Sequence, residues 1–222
     1  MTAPPPTARA WTYIGLAIAL LGIPLVVTLF KLADFTRADS AAMVARELLI
    51  LALVGFLLWI VRSREARPLS SIGLKSQPVV PAILWSFVTL LAFAAALAVS
   101  LSILPLLGLT FGQSQGPVAA LGVTFLTVLR AGIAEEIFYR GYAIERLEEL
   151  TGSRALAAGI PLITFAGFHY SQGVAGVLIA LALGAVATAI YLWKRNLVIL
   201  IAAHFAIDFI PNVLLPLLGG GR

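Results

Sequence analysis

The chain has 222 residues, of which 61% are hydrophobic and only 11% charged, and its mean hydropathy is +1.03. That composition excludes a soluble domain, which needs far more polar surface to stay dissolved. The formal charge of +5 sits in connections between apolar blocks, where it meets anionic headgroups and sets orientation, so no nucleic-acid partner is implied. Cysteine is absent, which excludes disulfides, thiolate metal sites and a cysteine nucleophile.

Residues 1–10, with Pro4, Pro5 and Pro6, read as a disordered lead-in, and 11–222 as a single transmembrane helical domain. The first apolar block, 11–30, is long for a signal-peptide core and shows no clear small-residue cleavage site, which makes it a retained anchor. Further blocks cover 48–61, 79–107, 118–133, 155–168, 174–193 and 197–218. A hydrocarbon core of about 30 Å asks for roughly 20 apolar residues per helix, and several blocks reach that. The mixed stretch 135–150 either continues the fourth span or lies partly at the interface. The expected fold is all-α, a polytopic transmembrane bundle of seven or eight helices in a lipid bilayer.

Charge sets the expected topology. Arg62, Arg64, Arg67 and Lys75 follow the second span, Arg140, Arg146 and Arg154 surround the connection from the fourth to the fifth, and Lys194 and Arg195 follow the sixth. The alternate connections hold only Lys31, Arg37 and Arg46. By the positive-inside rule the basic connections are cytoplasmic, and the amino terminus with them. The Ala-, Leu- and Arg-rich composition points to a bacterial cytoplasmic membrane. In the sixth block Gly176, Ala180, Gly184 and Thr188 lie four apart, a stripe that lets helix backbones approach and implies packing without chemistry.

Ionisable groups inside apolar blocks are costly, so each needs a partner or a function. Four places stand out: Glu135 with Glu136, Arg140, His169, and His204 with Asp208. On a helix Glu136 and Arg140 are four apart with the acid first, the favourable order for an ion pair. Glu135 is turned about 100° away and has no local partner, so one carboxylate is structural while the other faces a cavity as a candidate general base. His204 and Asp208 share one helix face, and Phe165 and His169 are spaced likewise. Alone, each motif has a plainer reading: a charge cluster snorkelling at a helix end, an interfacial histidine, an Asp–His clip between helices.

Depth favours a shared site. With Arg146, Arg154 and Arg195 as cytoplasmic markers, Glu135, His169 and His204 lie 11, 15 and 9 residues inside. At 1.5 Å per residue the depths are about 16, 22 and 14 Å.

The motifs Glu135-Glu136-x-x-x-Arg140, Phe165-x-x-x-His169 and His204-x-x-x-Asp208 resemble, in order, those of the CPBP intramembrane proteases, which include the type II CAAX prenyl endopeptidases and the bacterial Abi-type proteins. The resemblance covers about 118–215 and leaves the first half of the chain unmatched. It implies peptide-bond hydrolysis within the membrane at a cavity open to the cytoplasm. Glu135 would activate water with help from His169, and His204 with position 208 would stabilise the oxyanion. Arg140 would hold Glu136 and fix the helix, with Phe165 in support. Many members of the family carry Asn where this chain has Asp208. An ionised Asp208 repels an oxyanion, so it is either protonated or orients His204 through the ring N–H, and the orienting role is favoured.

The same groups keep a metal reading open. Glu135, His169 and His204, supported by Asp208, form a candidate zinc site of two histidines and one carboxylate with a position left for water. The implied substrate is a peptide or a membrane-protein tail, a prenylated carboxy terminus included. Two other classes compete: a non-hydrolytic scaffold or binding protein of the same fold, and a proton-coupled transporter, which predicts a relay to both faces or an inverted repeat.

Overall fold

The structure is a computed structural model that describes residues 6–33, 40–111 and 120–219. Among them no residue lies in a strand, and six long helical runs follow in chain order, with a short 3-10 helix at Leu69–Ile72 between the second and third. Helix α1 is Pro6–Leu32, and α2 is Ser40–Trp59, extended by a π-turn at Ile60–Arg64. Helix α3 is Val79–Ile103, ending in a 3-10 turn at Leu104–Leu107. Helix α4 begins as Leu121–Glu135, passes through a π-helical segment, Glu136–Ala143, and ends as Ile144–Thr151. Helix α5 spans Arg154–Lys194 and folds back on itself at a 3-10 turn, His169–Gln172, so that its arms Arg154–Phe168 and Gly173–Lys194 pack together. Helix α6 is Leu197–Phe209, continued through a π-turn containing Pro211 to Leu218.

This corrects the expected count of seven or eight helices. The mixed stretch 135–150 continues the fourth span, the first of its two expected readings, because the π segment carries α4 through it unbroken. The blocks 155–168 and 174–193 are joined by helical residues throughout. Helix α1 also starts at Pro6, inside the stretch expected to be a disordered lead-in; proline suits the first turn of a helix, where its missing N–H has no partner to lose. Residues 1–5 of that lead-in, and Arg37, lie outside the described residues.

Among the described residues five runs are long and apolar enough to cross a membrane: Arg9–Leu32, Ser40–Arg64, Val79–Leu107, Arg154–Lys194 and Leu197–Leu218. Their outer faces are apolar. On α3, Val80, Leu84, Phe87 and Leu91 recur at helical spacing and are each more than half exposed, a stripe suited to lipid and adverse in water. Helix α4 is different: it holds Arg130, Glu135, Glu136 and Arg140, and its π segment is buried along its whole length. Helices α1, α2, α6 and α5 surround it. The stripe on the second arm of α5 is buried as read. A Cβ at Gly184 would come within 2.8 Å of Leu162, 3.0 Å of Phe165 and 3.2 Å of Arg140.

One end of the bundle gathers the basic connections. Glu65 accepts from Arg146 Nη2 at 2.7 Å, Tyr142 Oη at 2.7 Å and Thr12 Oγ1 at 3.0 Å, tying the start of α1 to the ends of α2 and α4. Burial pushes the Glu65 carboxyl up, but the Arg146 hydrogen bond and charge outweigh it and hold the group below its ordinary value. Arg195 donates to Glu145 and Glu148, and Arg154 to the Leu192 carbonyl, closing the end of α5 against α4 and the two arms of α5 against each other. These bonds hold Arg195 at φ 47°, a left-handed conformation uncommon for a residue with a Cβ. All four Trp lie at this end, with Arg64 over Trp11 and Trp59 and Lys194 over Trp85 and Trp193, the belt expected at a membrane–water interface. The amino terminus and the basic connections thus share a side. Arg140 does not belong to that set: it is 2% exposed and lies inside the bundle.

Candidate active site

The site is built where α4 changes from α to π geometry. Glu135 is the last α residue and Glu136 the first π residue, and both are buried, at 6% and 1% exposed. Segments of π-helix inside α-helices recur at functional sites, since the wider turn re-aims side chains. Here each carboxylate has its own arginine. Arg140 Nη1 donates to Glu136 Oε1 at 3.0 Å, as the four-residue spacing predicts. Arg130 Nη1 donates to Glu135 Oε1 at 2.9 Å, so Glu135 is not the locally unpaired acid expected.

Helix α6 lies against α4 because Gly132 permits it: a Cβ there would sit 3.0 Å from the Phe205 backbone nitrogen and 3.2 Å from the Ile201 carbonyl oxygen. That approach brings His204 between the two carboxylates. Its Nδ1 donates to Glu136 Oε1 at 2.7 Å, and its Nε2 lies 3.8 Å from Glu135 Oε2 and 3.6 Å from Asp208 Oδ2. The hydrogen bond to the His204 ring is therefore made with Glu136, while Asp208 lies within ion-pair range of the other ring nitrogen. Asp208 stands beyond hydrogen-bonding distance with its side chain 38% exposed, against 14% for His204.

His169 is joined to this cluster indirectly. Its Nδ1 donates to the Phe165 carbonyl oxygen at 2.8 Å, and its ring meets the Phe165 ring edge-on at 4.9 Å between centroids. Phe165 in turn carries the Arg140 guanidinium over its face at 4.2 Å and meets Tyr139 edge-on. Motif two thus braces motif one, and among the described residues His169 makes no hydrogen bond to Glu135. Two buried polar atoms of motif one, Glu136 Oε2 and Tyr139 Oη, have no hydrogen-bond partner among the described residues. Such atoms are few in folded proteins, and a site that receives a polar ligand is one reason for them.

The zinc reading does not fit this donor set. Among the described residues no three His, Asp or Glu side chains are arranged to hold a metal ion. His204 has committed Nδ1 to Glu136, Arg130 occupies Glu135 Oε1, and His169 is turned onto Phe165.

Sequence reasoning missed two members of the cluster, Arg130 and Glu47. Arg130 Nε donates to Glu47 Oε2 at 2.5 Å, and Glu47, on α2, is wholly buried. Both were open to the rule that found the others, for Arg130 lies within the block 118–133 and Glu47 borders the block 48–61. Glu47 is also not the terminal or loop-proximal acid that its position at the edge of an apolar block suggests.

Residues 117–210 match the family described as Rce1-like, type II CAAX prenyl endopeptidase Rce1-like. No curated protein and no solved structure matches the chain. The matched segment holds α4, α5 and most of α6 with all three motifs, and leaves out α1, α2 and α3. The recognition carried by the motifs stands as a similarity: the site-bearing part of this integral membrane protein resembles the Rce1-like family of type II CAAX prenyl endopeptidases.

Proposed function

We propose that this protein is an intramembrane endopeptidase that hydrolyses a peptide bond with water activated by Glu135. The observation that carries the reading is the placement of His204 between two carboxylates with distinct tasks. Glu136, fixed by Arg140, orients the ring through Nδ1; Glu135, fixed by Arg130 through Oε1, presents Oε2 to the other face of the ring. A separation of 3.8 Å is too long for a direct hydrogen bond and suits one bridging water.

In the reaction, that water gives a proton to Glu135 Oε2 while its oxygen forms a bond to the scissile carbonyl carbon. The carbonyl oxygen becomes an oxyanion and is met by the Nε2–H of His204, whose Nδ1–H already donates to Glu136. The carbon–nitrogen bond then breaks, and the proton held by Glu135 passes to the leaving amine. His169, at the end of the first arm of α5, is the second group that assists the water, on approach to Glu135 when substrate is bound. Asp208, at the more exposed edge, faces the substrate entrance. The family makes a peptide or membrane-protein tail the substrate, with a prenylated carboxy terminus as the form to test. The positive-inside rule puts the basic end, and the amino terminus, in the cytoplasm.

A proton-relay transporter fits the geometry less well. The buried polar chain from Glu135 towards the opposite end passes through Arg130, and a guanidinium does not deprotonate in proteins.

Cleavage of a fluorogenic farnesylated peptide ending in Cys-aliphatic-aliphatic-X, and of its unprenylated form, tests the reading in proteoliposomes. Glu135→Gln should lose about 10²–10⁴-fold in rate, the range for removal of a general base. Wild-type turnover by that variant would show that Glu135 is not the base.

A further inference from the structure

The family match begins at residue 117, yet α2 supplies a buried charge to the site. Arg130 has two carboxylate partners through different nitrogens: Nε meets Glu47 Oε2 at 2.5 Å and Nη1 meets Glu135 Oε1 at 2.9 Å. Glu47 is itself gripped by Arg46, whose Nε donates to Glu47 Oε1 at 2.8 Å. The row Arg46, Glu47, Arg130, Glu135 alternates in sign, so none of its three buried members is left uncompensated.

Geometry gives the row a direction. A guanidinium is planar with its donors in a rigid fork, so anchoring Nε to α2 fixes where Nη1 points. Nη1 then fixes Oε1 of Glu135, and a carboxylate held by one oxygen turns the other to a set direction, here towards His204 Nε2. A clamp between α2 and α4 needs only the contact from Glu47 to Arg130. The contact from Arg130 to Glu135 is additional to that.

We propose that Glu47 and Arg130 are positioning residues: a salt-bridged strut from α2 that holds the Glu135 carboxylate with Oε2 facing His204 and the attacking water. The inference rests on Glu135 being the base, and its test reads position independently of turnover. The chain has only two histidines, so the ring nitrogens of His204 can be observed in ¹⁵N-histidine-labelled protein in lipid, with His169→Gln assigning the spectrum. Glu47→Gln keeps shape and a hydrogen-bond acceptor, and Arg130→Lys keeps charge without the fork. Each should shift the Nε2 resonance and leave Nδ1, bonded to Glu136, in place, and Glu135→Gln should shift Nε2 as well. With the farnesylated peptide, Glu47→Gln should lower kcat about tenfold at unchanged KM, as loss of an outer partner does.

If Nε2 keeps its wild-type position in folded Glu47→Gln and Arg130→Lys while Glu135→Gln moves it, the strut does not position the base and the proposal is overturned. If Glu135→Gln also leaves Nε2 unmoved, the pairing of Glu135 with His204 fails, and both this inference and the hydrolytic reading fall with it. Equal movement of Nδ1 and Nε2 in the Glu47 and Arg130 variants would instead mark a helix clamp and overturn the positioning role.

Discussion

Glu136 Oε1 accepts from two sides at once, from Arg140 Nη1 at 3.0 Å within its own helix and from His204 Nδ1 at 2.7 Å across to α6. Glu136 is therefore the hinge between the helix-fixing ion pair and the imidazole, and more than the partner of Arg140. Glu136→Gln should keep the fold and lower kcat about 10–100-fold, because the ring loses its orienting acceptor. Arg140→Met should act on stability, since it removes the ion-pair partner of a buried carboxylate and leaves Glu136 with the His204 ring, at a cost of up to about 3–5 kcal/mol. Thermal unfolding in detergent together with turnover separates the two effects.

Asp208 lies 3.6 Å from His204 Nε2 and does not hold the ring. Asp208→Asn should stay within about tenfold of wild-type kcat, an allowance of about 1.4 kcal/mol. A loss beyond a hundredfold, measured on the farnesylated peptide, would return the orienting role to Asp208.

The approach of α6 to α4 depends on Gly132, where a Cβ would meet the Phe205 backbone at 3.0 Å. Backbone cannot yield as a flexible side chain can. Gly132→Val should displace His204 and lower both stability and turnover, with overpacking alone costing about 1–3 kcal/mol. Gly159→Ala, where nothing lies within 4 Å, is the control and should stabilise by about 0.5–1 kcal/mol through helix propensity.

Glu65 contributes a pH dependence at the basic end. Its carboxyl is held below the ordinary value of 4.5, with burial opposing and Arg146 prevailing. The folded state therefore binds this proton less readily than the unfolded one. The stabilisation is fully present above pH 4.5 and is lost as pH falls through the folded value. Thermal unfolding between pH 7 and pH 3 should show a decline in stability that Glu65→Gln flattens.

The membrane character and the membership of Glu135, Glu136, Arg140, His204 and Asp208 in one cluster were legible for a single reason: charge inside an apolar block is expensive and demands explanation. The pairing of that cluster with Arg130 and Glu47 was not, although the same rule could have flagged both residues. Arg130 and Glu47 are 83 residues apart, and no spacing rule reaches across helices. The assumption of plain α-helix left Glu135 unpaired, whereas the change to π geometry at Glu136 accompanies its bond to Arg130, five residues away. The count of seven or eight was not met because 155–168 and 174–193 are joined through helical residues, whereas 135–150 continues the fourth span, one of its two expected readings, and is interior: Phe138, Tyr142 and Ile144 are completely buried. His169 could be placed near the site by depth, but its ring bonds the Phe165 carbonyl four residues back, at the point where the first arm of α5 passes into a 3-10 turn, rather than Glu135.

A double-mutant cycle of Glu135→Gln and His204→Gln on cleavage of the farnesylated peptide tests most directly whether the two side chains act on one water. If they do, the double variant is about as slow as the slower single one, because a unit broken once is not broken again. If the two losses multiply, Glu135 and His204 act independently, and the shared water between Oε2 and Nε2 is contradicted.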